Sequence, residues 1–178
     1  MRAVVTGGAG FIGSHLVDAL VARGDDVTVI DNLSTGRREN VNSEAKLVEH
    51  DIREPFEVQA EAVFHLAAQA DVVTSVERPT YDAEVNVIGT LRVLEAAGNS
   101  QVVFTSTGGA IYGECDRPAR EDDPRLPLSP YGTSKLAGEE YLATWNRLRG
   151  SKHVALRLGN VYGPRQPVSY THLTLPTN

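Results

Sequence analysis

Apolar positions along the chain form two kinds of run. Short β-branched runs predict buried strands, at residues 2–6, 26–30, 45–49, 62–67, 101–106 and 153–158. Stretches with apolar residues at helical spacing lie between them, at 11–24, 81–98 and 131–149. Strands that alternate with helices are typical of a parallel sheet with right-handed crossovers. The pattern therefore predicts an α/β fold with a doubly wound parallel sheet.

The ends of the predicted helices carry matching signals. Gly24 and Gly98 follow two of the helices, where a left-handed residue is favoured. Ser129 and Pro130 supply a cap and a first-turn proline ahead of Tyr131. These signals agree with the apolar pattern and place Tyr131 in the first turn of the last helix.

Composition narrows the classes of protein. The 178 residues are 41% hydrophobic and include 16 glycines, which suits one globular domain. A net charge of -6, without regularly spaced Lys and Arg, argues against a nucleic-acid partner or an anionic membrane surface. No apolar run approaches the roughly 18 residues of a membrane span, and no segment of signal-peptide length precedes the first glycine turn. We predict a cytoplasmic protein with no membrane partner.

Cysteine and histidine give no sign of metal or thiol chemistry. The single cysteine, Cys115, excludes an intrachain disulfide and lies in a polar loop without an activating group. An unreactive loop thiol is favoured there over a nucleophile. The five histidines are scattered without metal-ligand spacing, so we predict no metal site and expect each to be structural or solvated.

The first predicted strand ends in "TGGAGFIGSH", with Gly7, Gly10 and Gly13 three apart before a helix. Glycines serve turns without any ligand, but between strand and helix they also let the backbone approach a pyrophosphate. Asp31 closes the second strand, where a carboxylate accepts hydrogen bonds from the adenosine ribose. These residues predict dinucleotide binding. Asp31 would repel a 2′-phosphate, which favours NAD over NADP, although Arg37 and Arg38 nearby could receive that phosphate.

Tyr131 and Lys135 lie four apart in "YGTSK" and so share one face of a helix. The spacing fits either an amphipathic surface or an acid/base pair. Ionising a phenol near pH 7 requires about 4 kcal/mol, and one cation about 4 Å away supplies roughly that at an effective dielectric of 20. Lysine alone is therefore marginal, and the positive nicotinamide of NAD⁺ would add a second favourable charge.

Motifs in order along the chain add a resemblance. They are "TGGAGFIGSH", "DNLSTG", "HDIRE", "VFHLAAQADV", "NVIGTLRVLEAA", "STGGAIYGE", "YGTSK" and "LRLGNVYGPRQ". With them the chain resembles the extended short-chain dehydrogenase/reductases of the NAD-dependent epimerase/dehydratase family, most of all the UDP-glucose 4-epimerases and related nucleotide-sugar epimerases. The resemblance covers residues 1 to about 166 and implies a Rossmann-type sheet.

The resemblance also implies which residues hold NAD. These cofactor-binding residues are Gly7, Gly10, Phe11, Ile12, Gly13, Asp31, Asn32, Ser34, Asp51, Ile52, Leu66, Ala67, Ala68, Gln69, Asn86, Tyr131 and Lys135. Phe11 and Ile12 would line the pyrophosphate with the glycines, and Asn32 and Ser34 would surround the ribose. Ala67 could equally be a plain strand end, and Asn86 a tolerated polar residue in a helix.

For catalysis, the resemblance makes Tyr131 the acid/base and Lys135 its partner. Thr107 would hydrogen-bond the reacting sugar hydroxyl, and Asn160 would contact the substrate side. Counted back from Tyr112, the usual hydroxyl position falls on Gly108, so Thr107 fits only if the loop carries one extra residue. Ser106 is the fallback.

The implied function is a nucleotide-sugar epimerase that oxidises a UDP-hexose to a 4-keto sugar and returns the hydride to the other face. A dehydratase or decarboxylase of the same family is an alternative, but dehydratases place an Asp-Glu pair after the threonine, where this chain has Gly108 and Gly109. A non-catalytic NAD-binding module is an alternative from another class.

We assign residues 1–167 to the NAD-binding domain and expect 168–178 to be an irregular tail foreign to the family. We expect the C-terminal substrate-binding segment of the family to be absent from this chain. Activity of the chain alone is therefore doubtful. The resemblance also implies a possible homodimer of the full-length parent, formed through the helices at about 80–97 and 131–149.

Overall fold

Six parallel strands form one sheet in the computed structural model, which describes residues 1–167, and their order is β3-β2-β1-β4-β5-β6. The strands are β1 (Arg2–Thr6), β2 (Asp26–Asp31), β3 (Lys46–Glu49), β4 (Ala62–His65), β5 (Gln101–Thr107) and β6 (Val154–Leu158). All six predicted strands are confirmed, as is the parallel arrangement. The order reverses between β1 and β4, and open α/β sheets bind ligands at the carboxyl ends of strands at such a point.

The helices are α1 (Phe11–Ala22), α2 (Val72–Glu77), α3 (Pro79–Ala83), α4 (Gly89–Ala97) and α5 (Pro130–Arg149). A π-helical turn, Glu84–Ile88, joins α3 to α4, and a 3₁₀ turn spans Arg38–Asn40. The predictions for 11–24 and 131–149 are confirmed to within a few residues. The helix predicted over 81–98 begins earlier, at Pro79, and contains the wide turn, while α2 was not predicted.

Side chains of β1 alternate between the two faces of the sheet. Ala3 and Val5 pack with Val17 and Leu20 of α1. Val4 joins the opposite cluster, in which Phe104 and residues of α4 and α5 pack. Helices therefore cover both faces, which confirms the doubly wound arrangement and explains why the strand sequences are apolar throughout.

The helix-end predictions hold with one difference. The Ser129 hydroxyl accepts a hydrogen bond from the Gly132 N–H at 3.1 Å, and Pro130 occupies the first turn of α5. Gly24 has a φ of +87° and Gly98 a φ of +56°, but Gly98 ends α4 with a ψ of -108°, outside the left-handed helical region.

Residues 168–178 lie outside the described residues, so the expected tail and the domain division at 167 stay predictions. Within residues 1–167, no helix is both long and apolar enough to cross a membrane.

Candidate active site

The glycine loop after β1 touches both α1 and β4. Gly7 has a φ of +73°, and a Cβ there would lie 2.5 Å from the Ala67 nitrogen. A Cβ on Gly13 would lie 2.1 Å from the Gly7 carbonyl oxygen. Both distances are far below van der Waals contact, so only glycine permits this close approach of loop, helix and strand.

Gly10 differs from these two glycines. It precedes α1 with an ordinary φ of -79°, and a Cβ would approach only the Gly7 carbonyl oxygen, at 3.2 Å. Among residues 1–167, no side chain caps α1. The first-turn N–H groups of a helix attract an anion, and the missing Cβ leaves room for one beside them. This cradle fits a pyrophosphate at Gly10, Phe11 and Ile12.

Asp31 lies buried at the end of β2 beside the glycine loop. Its Oδ2 accepts a hydrogen bond from the Ala9 N–H and its Oδ1 from the Leu33 N–H, both at 2.9 Å. Each carboxylate oxygen keeps a second lone pair, so both can still accept from ribose hydroxyls. The geometry therefore fits the ribose role predicted for Asp31.

The two arginines that could favour NADP are engaged with other carboxylates. Arg38 forms an ion pair with Glu49 at 2.5 Å, and Arg37 lies 3.5 Å from Glu39. All four side chains are exposed. Neither ion pair involves Asp31. The Asp31 carboxylate is therefore the charged group at the predicted ribose site.

Asp51 is held in a fixed orientation after β3. Arg53 donates two hydrogen bonds to it, from Nε to Oδ1 at 3.0 Å and from Nη2 to Oδ2 at 2.7 Å. Asn32 donates to Oδ2 at 3.0 Å, and its own Oδ1 accepts from the Ser34 N–H at 3.1 Å. These contacts, with Arg53 foremost, hold the pKa of the Asp51 carboxyl well below its usual range. The sequence indicated Asn32, Ser34 and Asp51 but missed Arg53.

The segment after β4 is tied down from both sides. Leu66 and Ala67 donate their N–H groups to the carbonyl oxygen and the hydroxyl of Thr6, at 3.0 and 3.3 Å. Gln69 exchanges two bonds with the buried Asn86: its N–H donates to Asn86 Oδ1 at 2.9 Å, and its carbonyl accepts from Nδ2 at 2.8 Å. Ala68 lies between these anchored residues. Asn86 is thus a clamp on the predicted cofactor segment rather than a merely tolerated polar residue.

His65 connects β1 to the π turn through a chain of hydrogen bonds. Its Nδ1 lies 2.7 Å from Thr6 Oγ1, and its Nε2 lies 3.0 Å from Thr90 Oγ1. Thr90 donates its hydroxyl proton to the Asn86 carbonyl at 2.6 Å, so it accepts from His65, and Nε2 carries the ring proton. Burial, together with the charge of Lys135, lowers the pKa of His65 to about 3, and the ring is neutral.

Lys135 is buried at the start of α5, with 3% of its surface exposed. Its Nζ donates to the Thr105 carbonyl at 3.0 Å and lies 4.8 Å from the centre of the Phe104 ring. Burial lowers the pKa of Lys135 to about 8, and the charge of Asp82 opposes that shift. Tyr131 lies one turn earlier and is partly buried. A buried lysine beside the end of β5 is not a feature of a solvated amphipathic surface.

Glycine also brings α5 close to β5. A Cβ on Gly138 would lie 2.7 Å from the Phe104 ring, and one on Gly132 would lie 2.3 Å from the Ala110 carbonyl oxygen. The helix therefore rests directly on the strand and the loop that follows it, which carries Lys135 into the core.

Thr107 and Ser106 face different surroundings at the end of β5. Thr107 is partly buried, and its Oγ1 accepts from the Ala110 N–H at 3.2 Å. Ser106 is 4% exposed, and its Oγ is buried without a hydrogen-bond partner within residues 1–167. Of the two candidates, the geometry favours Thr107. Asn160 is exposed, and its Oδ1 would lie 4.0 Å from a Cβ on Gly109, so it faces the same loop.

A charged cluster that the sequence did not predict supports this loop. Arg157 of β6 donates to Glu139 from Nε at 2.9 Å and from Nη2 at 2.7 Å. Its Nη1 donates to the Tyr112 hydroxyl and to the Glu121 carbonyl. The Glu139 carboxylate holds the pKa of Arg157 above its usual range, so the pair stays charged. Within residues 1–167, no group of His, Cys, Asp and Glu side chains could hold a metal ion.

The model of the NAD dependent epimerase/dehydratase family matches residues 3–175. This chain belongs to that family. A putative UDP-glucose 4-epimerase from Methanocaldococcus jannaschii is 48% identical, in a match that covers 92% of this chain and 57% of that protein. UDP-glucuronic acid decarboxylase 1 from Arabidopsis thaliana is 38% identical, in a match that covers 93% of this chain and 41% of the relative.

Two solved structures share the fold closely. The UDP-glucose 4-epimerase of Thermus thermophilus, in complex with NAD, has a TM-score of 0.88 at 49% identity, over 94% of this chain and 58% of its own. The enzyme of Thermotoga maritima, with UDP-glucose, has a TM-score of 0.90 at 47% identity over the same shares. The chain thus spans little more than half the length of these relatives.

Proposed function

We propose that this chain is an NAD-dependent nucleotide-sugar epimerase of the UDP-glucose 4-epimerase kind. The observation that supports the proposal most strongly is the burial of Lys135, one turn after Tyr131. The lysine lies on the side of the sheet where the strands have their carboxyl ends, as do the glycine loop and Asp31. Relatives at 46% and 49% identity are named UDP-glucose 4-epimerase, and the structure of the second is a complex with NAD.

The residues of this edge fit NAD part by part. The cradle at Gly10, Phe11 and Ile12 would hold the pyrophosphate, and Asp31 would accept from the adenosine ribose. The chemistry that NAD⁺ would supply at these residues is a hydride acceptor, by which a sugar carbon could be oxidised to a ketone and then reduced on its opposite face. Lys135, beside the end of β5, would face the nicotinamide half of the cofactor.

Three side chains of the site supply the proton chemistry. Tyr131 takes the proton of the sugar hydroxyl and later gives it back. The Lys135 ammonium, protonated below about pH 8, favours the ionised form of the phenol. Thr107 donates a hydrogen bond to the same sugar oxygen from the end of β5, where Ala110 orients its hydroxyl.

The loop after β5 favours epimerisation over elimination. An elimination of water needs an acid and a base beside the threonine, and this chain has Gly108 and Gly109 there. Epimerisation needs only the hydride and one proton. Decarboxylation is the second candidate, because a decarboxylase is among the relatives.

A UDP-hexose is the substrate we propose, since a related structure contains UDP-glucose. A homodimer through α4 and α5 is proposed as well, because apolar side chains are exposed at Ile88, in the π turn just before α4, and at Leu148 on α5. The cytoplasmic location and the lack of nucleic-acid and membrane partners stay predictions from the sequence.

The test is conversion of UDP-galactose by the purified chain with NAD⁺, with UDP-glucose detected by a coupled UDP-glucose dehydrogenase. Tyr131→Phe should lower the rate by roughly 10²- to 10⁴-fold, because it removes the acid/base hydroxyl. Tyr141→Phe, an exposed tyrosine on the same helix, is the matched control and should retain full activity.

Other results would contradict this function. Release of CO₂ from UDP-glucuronic acid, without epimerisation, would support the decarboxylase. Binding of NAD⁺ without turnover of either sugar nucleotide would favour the non-catalytic module for this chain.

A further inference from the structure

Helix α3, which packs against α5, carries a buried carboxylate that has no role in the epimerase mechanism proposed above. Asp82 of α3 is 1% exposed. Its Oδ1 accepts from Asn86 Nδ2 at 2.9 Å and from Gln69 Nε2 at 3.0 Å. Its Oδ2 is equally buried and has no hydrogen-bond partner within residues 1–167. Such an oxygen is unfavourable to bury, so its presence calls for a compensating interaction.

The compensating charge is that of Lys135. Helix α3 packs against α5, and Asp82 is the charged group whose interaction with Lys135 opposes the effect of burial. His65 of β4 also interacts electrostatically with the lysine, and Tyr131 precedes it on α5. The contacts from β5, the Thr105 carbonyl and the Phe104 ring, carry no charge. The other elements that contact α5 carry these charged residues: Glu77 of α2, Glu84 of the π turn, Arg92 and Glu95 of α4, and Arg157 of β6, which pairs with Glu139 of α5 itself.

Asp82 and Lys135 interact electrostatically, but in the described part of the chain the lysine makes no hydrogen bond to either carboxylate oxygen. The lysine donates to the Thr105 carbonyl instead, and an ammonium has three donors. A direct bond to Asp82 would occupy one of them and draw Nζ towards α3. Two amide donors fix the position of the Asp82 carboxylate. The carboxylate therefore provides negative charge for Lys135 and leaves the remaining N–H donors of the lysine available to the active site.

We propose that Asp82 is a positioning residue of the active site. Its charge keeps Lys135 protonated in a buried place, and its Oδ1 fixes the Asn86–Gln69 clamp on the segment after β4. The inference rests on the proposed function of Lys135 as the partner of Tyr131. The Asp82 side chain is buried, so its carboxylate is not open to a substrate or cofactor.

The titration of Lys135 tests this directly. The chain has three lysines, Lys46, Lys135 and Lys152, so ¹³Cε NMR of lysine-labelled protein resolves each one. In the wild-type chain, Lys135 should titrate at about 8. Asp82→Asn should lower that midpoint by about one pH unit, a tenfold change in proton affinity, because burial then acts unopposed. Lys46 and Lys152 should not move.

A matched control removes a charge elsewhere. Glu77→Gln, at the exposed end of α2, should leave the Lys135 midpoint unchanged. A merely structural role for Asp82 would alter the unfolding transition without moving the midpoint, and that result in a folded Asp82→Asn variant would overturn the proposal.

Loss of a buried carboxylate can also unfold the chain. Asp82→Ser keeps an oxygen for the two amide donors, and a folded variant should show the same downward shift. A wild-type midpoint near 10.4 that stays unchanged in Asp82→Asn would also reject the proposal, because neither burial nor Asp82 would then act on the lysine. All these titrations proceed without substrate, so a chain that fails the epimerase test still gives a clear answer on Asp82.

Discussion

Gly10 and Gly13 look alike in the sequence, but the fold uses them differently. A methyl group on Gly13 would overlap the Gly7 carbonyl, whereas one on Gly10 would enter the space in front of α1. We predict that Gly13→Ala lowers the free energy of unfolding by about 3 kcal/mol or more through overpacking. Gly10→Ala should lower it by less than about 1 kcal/mol and weaken NAD⁺ binding by roughly tenfold or more.

Urea unfolding and calorimetric titration with NAD⁺ separate the two effects. Each variant serves as the control for the other, since one changes the packing of the fold and the other the cradle. Unweakened NAD⁺ binding by Gly10→Ala would show that the pyrophosphate does not approach this residue.

His65 makes a second prediction, about acid. The pKa of His65 is about 3 in the folded chain and about 6.5 in the unfolded one, so the unfolded chain binds the extra proton between these values. Stability from this residue is therefore present above about pH 6.5 and is lost as the pH falls towards 3, by up to about 1.4 kcal/mol per pH unit. His65→Gln cannot bind that proton and should lose less stability on acidification.

The measurement is the urea midpoint of both chains between pH 7 and pH 4. The difference in stability between wild type and variant should narrow as the pH falls. Parallel curves would mean that the ring binds its proton equally well in the folded and unfolded chain, so that burial does not lower its pKa.

At the scale of elements, the run from α3 through the π turn to α4 joins the segment after β4 to α5. Asn86, in the π turn, bonds Gln69 twice and also lies 3.3 Å from the Ser134 hydroxyl, the residue before Lys135. We predict that Asn86→Ala lowers the free energy of unfolding by about 2 kcal/mol, because it leaves the Gln69 main chain without partners.

Amide hydrogen exchange at Gln69 checks the cause of that loss. The exchange should become much faster in Asn86→Ala and stay unchanged in Asn99→Ala, an exposed asparagine after α4. An unchanged rate at Gln69 in the first variant would refute the clamp.

The sequence foretold the strands because strands of a parallel sheet are buried on both faces and appear as continuous apolar runs. It did not foretell α2, which has six residues and exposes Val73 and Val76 at 64% and 61%. Exposed valines give no amphipathic period, and their β-branched side chains do not favour helix. The π turn has no sequence signal at all.

The sequence likewise predicts some residues of the candidate site and not others. Glycines, Asp31 and the Tyr131–Lys135 spacing are local patterns, so the sequence could indicate them. The electrostatic interaction of Asp82 with Lys135 and the ion pair of Arg157 with Glu139 join residues far apart in the chain. Such contacts depend on the order of the strands and on the packing of α3 and α5, which no local pattern contains.

At the scale of the whole molecule, the carboxyl ends of the strands bring together residues that follow β1, β2 and β4 with residues of α5. They meet where the strand order reverses, between β1 and β4. A ligand that contacts all four elements should stabilise the fold as a unit. At one hundred times its dissociation constant, NAD⁺ should add about 2.7 kcal/mol to the free energy of unfolding, which corresponds to a rise in melting temperature of roughly 5 to 10 °C.

The cofactor preference can be read from the same melting curves. NADP⁺ should stabilise the chain much less, since its 2′-phosphate meets the Asp31 carboxylate while Arg38 is engaged by Glu49. Asp31→Ala should lose most of the NAD⁺ effect, and Asp26→Ala, at the exposed opposite end of β2, should keep it. Equal stabilisation by both cofactors would assign the ribose end to Arg37 and Arg38 instead. If NAD⁺ still stabilises Asp31→Ala, the adenosine binds elsewhere than at the carboxyl ends of β1 and β2.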